Sequence, residues 1–180
     1  MAVMRGGAVM GFFRSYIQSP VRITRSARAV HGIGDADIAS APFMTALWPE
    51  YKSRLAGAVV VAHGAGTEKR FLRAFPLHGF GPWLDTLAMA RAALPDLPEH
   101  SLGVVTRALG AEDEVRALCP EHGWHDALFD AVACLVVLRR IVETCALQDA
   151  TVGELISADP AAYRRRRALL QTARSAGWAG

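Results

Sequence analysis

The sequence predicts an α/β domain with a mixed sheet flanked by helices, and three observations carry that expectation. Two short, apolar-rich stretches flank Gly6-Gly7 near the start of the chain, the pattern of an antiparallel hairpin. Further on, "AVVVAH" and "GPWLDT" read as strands that alternate with helical patterns, the arrangement that strings parallel strands together. The segment from about Asp126 to Leu147 is the longest helical pattern and is apolar nearly all round. A helix of that kind is buried on most sides.

Taken in order, residues 2–5 and 8–17 are predicted strands, the second closed by Pro20. A loop with "HGIGDADIASAP" follows, in which Asp35 and Asp37 are expected to cap short helical turns. From Pro42 to about Leu55, the spacing of Phe43, Leu47, Trp48, Tyr51 and Leu55 fits a helix with one apolar face, stopped by Gly57. "AVVVAH" is continuously apolar rather than alternating, which predicts a strand buried on both faces. Helix is expected again from about Thr67 to Phe75, then a short strand at "GPWLDT", with Asp85 or Thr86 starting the helix "LAMARAAL". "HSLGVVTRALG" is a further short helix closed by Gly110, and "DPAAYRRRRALLQTARSAGW" a last, strongly basic one. This divides the chain into a domain over residues 1–150 and a basic helical tail over 151–180, with no internal repeat or low-complexity linker.

Composition sets the outer bounds. A chain of 180 residues with 52% hydrophobic and 21% charged residues is globular, long enough to bury a core, and excluded from the disordered class. A formal net charge of +3 is compatible with a nucleic-acid partner without requiring one. Cys119, Cys134 and Cys145 are an odd, scattered set, which argues for a reducing compartment rather than a disulfide framework. Arg5, Gly6 and Gly7 interrupt the first apolar run, so a signal peptide is not expected. No stretch approaches the roughly 18 apolar residues of a membrane span. The expectation is a soluble cytoplasmic protein.

Several residues are candidates for chemistry, each with a structural reading beside the functional one. His125 stands just before the long helix and Asp130 within its first two turns. An imidazole beside a metal-binding carboxylate serves as a general base, whereas the same pair is also ordinary helix-start polarity. Glu68 follows a strand across a glycine-containing turn, at the carboxyl edge where α/β sheets bind ligands, but Glu at a helix start is also capping chemistry. Cys119, His122 and His125 have a zinc-like spacing but lack a fourth ligand nearby. Arg164 to Arg167 suit either a phosphate backbone or a solvated helix face.

In combination these segments resemble the DEDD-type 3′–5′ exonucleases, of the DEDDh kind, in particular the proofreading epsilon subunit of bacterial DNA polymerase III and its RNase T-like relatives. "FRSYIQSP…AVHGI…APFMTALWPEY" is similar to the family's strand, HGI loop and first helix. "VVVAHGAGTEKRFL" resembles the second motif, Ala-His-Asn followed after three residues by Asp. "LDTLAMARAALPDLPEHSLGVVTRALG" resembles the family's continuation, and "HDALFDAVAC" its third motif, with His125 and Asp130 at the matching spacing. The four segments occur in order along nearly all of the chain.

The resemblance implies an RNase H-like fold and a metal-dependent 3′–5′ exonuclease domain acting on single-stranded DNA or RNA ends, proofreading among its roles. It implies two Mg²⁺ or Mn²⁺ ions roughly 3.5–4 Å apart, held by four acids. On this reading His125 is the general base, Asp130 a metal ligand, and Glu68 stands at the second-motif aspartate. A DNA polymerase is an implied partner, and homodimers occur among the RNase T-like relatives. Two departures are visible: Gly64 replaces the usual Asn, and Glu68 the usual Asp. A third is an absence. The first motif, Asp-x-Glu on the family's first central strand, has no counterpart, since no Asp or Glu precedes Asp35. The fold is thus expected to lack that strand, with its two flanking strands left without a partner. The expectation that follows is a natural polypeptide starting upstream of Met1, or a gene remnant. The alternative function is a non-catalytic nucleic-acid-binding or polymerase-associated module that keeps the exonuclease fold.

Overall fold

Two glycines with left-handed backbones make the first turn. Gly6 (φ 54°) and Gly7 (φ 81°) adopt conformations that cost other residues energy, and they fold β1 (Ala2–Arg5) onto β2 (Ala8–Phe12) as an antiparallel pair. This is a computed structural model of the chain, and it describes residues 1–73, 75 and 79–175. The pairing reaches Phe13, whose N–H donates to the Met1 carbonyl at 2.9 Å. The predicted strand to residue 17 therefore ends early. Beyond that point side chains are drawn to separate partners: the Phe13 ring lies under the Arg54 guanidinium, and Arg14 pairs with Asp126.

The next segment contains a helix that apolar spacing did not signal, α1 (Arg25–His31), capped by the Thr24 hydroxyl and closed at Gly32. None of its residues is buried, so there was no apolar stripe to read. α2 (Asp35–Ile38) is a single turn in which the Asp37 carboxylate accepts the Gly34 N–H at 2.7 Å. Asp35 instead accepts the N–H of Ile23 at 2.8 Å and ties the loop together. The helix expected over 42–55 is divided into a 3₁₀ turn at Met44–Leu47 and α3 (Trp48–Leu55), with Pro49 in the first turn of α3. Its aromatic residues pack on Phe75: Trp48 stacks at 5.2 Å and Tyr51 lies at 4.9 Å.

β3 (Val60–Ala62) and β4 (Trp83–Asp85) pair in parallel, with α4 (Gly66–Leu72) in the crossover between them. The helix expected to run to Phe75 ends at Leu72, and residue 74 on its path lies outside the described residues. Antiparallel and parallel pairing are thus both present, as a mixed sheet requires, but as two separate two-stranded ladders. Among the described residues β1 is paired only with β2, and β3 only with β4. One consequence corrects an expectation: Val60 and Val61 are half-buried rather than enclosed on both faces, since among the described residues β3 has a strand partner along one edge alone.

The core lies in the second half of the chain. α5 (Thr86–Ala93), α6 (Leu102–Ala108) and α7 (Glu112–Leu118) all pack against α8 (Ala127–Thr144), which also touches β1, β2 and β3. The all-round apolar pattern of α8 has this cause. Val137 and Ile141 join Met89 and Val105 in one cluster, while Phe129, Val132 and Val136 join Val115 and Cys119 in another. α7 was not anticipated because Val115 is its only buried residue. α9 (Val152–Ser157) was also missed, although Thr151 and Glu154 form a readable capping box. α10 (Pro160–Ser175) is the basic helix; it sends Tyr163, 1% exposed, into the first cluster. The last predicted residues of that tail, from 176 on, lie outside the described residues. No helix among the described residues is long and apolar enough to cross a membrane.

Candidate active site

The strand β3 ends at His63 because that imidazole is a cross-link. Its Nε2–H donates to the His100 carbonyl at 2.7 Å, which leaves Nδ1 to accept from the Thr86 hydroxyl at 3.0 Å. The Ala62 carbonyl, 3.2 Å from the same hydroxyl, is its alternative acceptor. Burial holds the His63 pKa below its ordinary value, against the His100 carbonyl and the Asp85 charge, so the ring stays neutral and suited to this role. His63 thereby fastens the end of β3 to the start of α5 and to the loop before α6.

Directly after it, Gly64 adopts φ 76° and its N–H donates to Asp85 Oδ1 at 2.8 Å. The other oxygen of Asp85 accepts from Ala65 N–H at 3.1 Å, and Leu87 N–H reaches Oδ1 at 2.9 Å. Burial alone would raise the Asp85 pKa; the amides of Gly64, Ala65, Leu87 and Ala88 together outweigh it and hold the carboxyl below its ordinary range. Asp85 is a finished joint between the β3–α4 turn and α5. Glu68 sits on the first turn of α4, exposed.

The start of α8 is built differently. Asp126 caps it, accepting Leu128 N–H at 2.8 Å, while its other oxygen holds Arg14 at 3.0 Å and His122 Nδ1 at 3.1 Å. His125 precedes the cap with φ 71°, a left-handed conformation that costs a non-glycine residue roughly 1–2 kcal/mol. Asp130, in the first turn, has its Oδ1 buried with no hydrogen-bond partner. Burial raises its pKa, and the backbone amide and imidazole of His125 offset only part of that rise.

Glu68 and Asp130 approach a common neighbour. Burial pushes the Cys134 thiol up to about 12, and the charges of both carboxylates act in the same direction. Cys134 lies one turn beyond Asp130 on α8 and also interacts with Thr86 and the His63 backbone. Cys134 thus lies within electrostatic reach of both carboxylates, and Asp130 within reach of the His125 imidazole. A buried carboxylate oxygen without a donor is what a hard cation satisfies, so Asp130 fits the metal-ligand role. The set is small: among the described residues no group of three or more His, Cys, Asp or Glu side chains is placed to hold a metal ion.

A DNA polymerase III subunit epsilon-like protein of Rhodobacter capsulatus is 31% identical over 145 residues, 78% of this chain and 20% of the relative. A PolC-type DNA polymerase III of Thermotoga maritima is 30% identical over 145 residues, 78% of this chain and 10% of the relative. The fold matches the solved structure of exonuclease X in complex with 5′ overhanging duplex DNA, with a TM-score of 0.71, 22% identity, and coverage of 87% of this chain and 86% of that one. The chain is thus similar in sequence to DNA polymerase III epsilon-like and PolC-type proteins, and it shares its fold with exonuclease X. No family model matches the chain. The chain spans 20% and 10% of the length of these two curated relatives.

The departures from the DEDD-type pattern at the second motif take on physical sense in this fold. Position 64 is left-handed, which asparagine tolerates better than most residues and glycine tolerates freely. A Cβ there would meet only Leu87 Cδ2 at 3.5 Å, an ordinary contact. The exonuclease resemblance pointed to His125, Asp130 and Glu68 but not to Asp85, Thr86 and His100, which hold the turn in place. Asp85 was legible only as a helix cap; nothing local indicated its bonds across 21 and 20 residues to Gly64 and Ala65. Of the zinc-like trio, Cys119 is buried in the core, with burial raising its pKa, and His122 is paired with Asp126.

Proposed function

We propose that the chain is a metal-dependent 3′–5′ exonuclease domain acting on the phosphodiester bonds of single-stranded DNA or RNA ends. The observation that carries this reading is the unpartnered, buried Oδ1 of Asp130 beside the left-handed turn of His125. Bound Mg²⁺ or Mn²⁺ ions would activate water and neutralise charge on the phosphoryl oxygens. Asp130 would hold such an ion first, and Glu68, on the first turn of α4, would be the second ligand. His125 takes the proton of the attacking water at its imidazole. The left-handed backbone at His125 sets the direction in which that ring leaves the chain, and Asp126, Arg14 and His122 brace the turn around it. His63 and Asp85 position the α4 start that carries Glu68. The relatives named for DNA polymerase III make a polymerase the proposed partner, and the proposed setting is the cytoplasm.

A second reading is a non-catalytic nucleic-acid-binding module with the same fold. It is favoured by one observation: among the described residues no group of three or more His, Cys, Asp or Glu side chains is placed to hold a metal ion, where the family uses four acids. A 5′-labelled single-stranded oligonucleotide with Mg²⁺ or Mn²⁺ separates the two. Products shortened stepwise from the 3′ end, lost in His125→Ala and Asp130→Ala, are expected for the enzyme. Retention of the oligonucleotide with no shortening identifies the binding module.

A further inference from the structure

We propose that residues 14–31 form a cationic strip that binds the phosphates of a single-stranded nucleic acid leading into the site at the start of α8; this rests on the nucleic-acid reading above. The segment carries Arg14, Arg22, Arg25 and Arg28 and no acid. Arg14 anchors one end to Asp126 at 3.0 Å, beside His125 and one helical turn from Asp130. Gln18 closes the base of the loop, its N–H donating to the Pro42 carbonyl at 2.9 Å and its side chain to the Ala39 carbonyl at 3.2 Å. The strip therefore leaves the protein next to the candidate site.

Arg22, Arg25 and Arg28 are exposed, and none of them forms an ion pair among the described residues. The nearby acids Asp35 and Asp37 are engaged with the backbone amides of Ile23 and Gly34. α1, with seven residues and none buried, has no apolar face docked on the core, and so short a helix gains little stability by itself. Its composition is not that of an inert solvated helix. Val21 is 70% exposed and Val30 59%, and Tyr16 lies open under the Arg14 guanidinium, which sits 5.5 Å from its ring. An open cleft of about 420 Å³, lined by Gln18, Val21, Arg22, Asp35 and Ile38, runs along the same segment. Guanidinium groups for phosphates and apolar or aromatic surface for base faces are the two requirements of sequence-independent strand binding. The arginine run of α10 differs: Arg166 is paired with Asp149 and Glu154, and Arg167 donates to the Ala93 carbonyl, which commits half of that run to the fold.

The test is binding of a fluorescent single-stranded oligonucleotide to the whole chain across a salt series, with Arg22, Arg25 and Arg28 changed together to Gln. Three lost phosphate contacts are expected to lower the slope of log K against log salt by about 2, and affinity near 0.1 M salt on the order of 100-fold. Lys at the three positions is expected to restore the slope, and Gln at Arg164 and Arg165 to leave it unchanged. Far-UV circular dichroism confirms the fold of each variant. If the wild type binds and the Gln variant keeps its slope, the strip is wrong and the nucleic-acid reading stands. If the wild type fails to bind even at low salt, both fall. If the wild type binds phosphatidylserine vesicles in an arginine-dependent way but no oligonucleotide, the surface is a membrane contact and the proposal is overturned.

Discussion

At the start of α5, Asp85 accepts backbone N–H bonds from Gly64, Ala65 and Leu87, and its pKa is held below the ordinary range. At the start of α8, Asp130 leaves a buried oxygen with no donor, and its pKa is raised. Both aspartates stand near a helix N-terminus, where the macrodipole favours a negative charge. What separates them is how many protein donors surround the carboxylate. The first turn is complete as folded. The second is held in shape by Asp126, Arg14 and His122, yet leaves one buried carboxylate oxygen of Asp130 without a protein donor. The difference teaches where to look for structure and where for chemistry in this domain.

The largest expected effect comes from the completed turn. Asp85→Ala removes the helix cap and strands the Gly64 and Ala65 amides, so unfolding free energy should fall by about 2–3 kcal/mol. In a chain of this size that lowers the thermal midpoint by about 4–12 °C. Asp130→Ala, measured with a chelator present, should cost far less. Equal losses in the two variants would break the comparison.

His125→Gly sharpens it from the other side. Glycine accepts φ 71° without strain, so this variant should be more stable than wild type by roughly 0.5–1 kcal/mol in denaturant unfolding. His125→Ala should gain nothing, since alanine meets the same left-handed penalty. If neither variant cleaves and only the glycine variant is stabilised, the strain belongs to function and not to folding.

The pH dependence of the two sites is smaller. Asp130 binds its proton more tightly when folded, so its contribution to stability grows as pH falls through the raised folded value toward the ordinary 3.8. Asp130→Asn should therefore gain stability at pH 7, by less than about 1 kcal/mol given solvent screening, with the gain shrinking toward acid. His63 acts in the opposite sense. Its contribution is full above its ordinary value of 6.5 and is lost as pH falls through its depressed folded value. A stability profile between pH 8 and 5 should lose part of its slope in His63→Gln, again by under about 1 kcal/mol after allowance for screening.

The sequence was most legible where one residue type has one common use. Asp85 and Asp126 at helix starts, the glycines of the hairpin, and the apolar length of α8 were all readable locally, and the structure uses them as expected. The roles proposed for His125, Asp130 and Glu68 come from the order of motifs and not from spacing alone. The remainder was hidden for two physical reasons. α1, α7 and α9 bury at most one residue each, so they carry no apolar period to detect. The His63 clamp joins residues 23 and 37 positions apart, and a long-range bond to a backbone carbonyl leaves no trace in local pattern. The half-buried state of β3 was hidden as well, since "AVVVAH" reads the same whether one edge or two are paired.

The most direct test of the difference between the two turns is thermal unfolding of the wild type and Asp130→Asn with and without Mn²⁺. An ion at ten times its dissociation constant stabilises the folded state by about 1.4 kcal/mol. The expected result is a rise of about 3–6 °C in the wild type and none in Asp130→Asn. An unchanged midpoint in the wild type, or the same rise in both proteins, would contradict the assignment of Asp130 as a cation ligand.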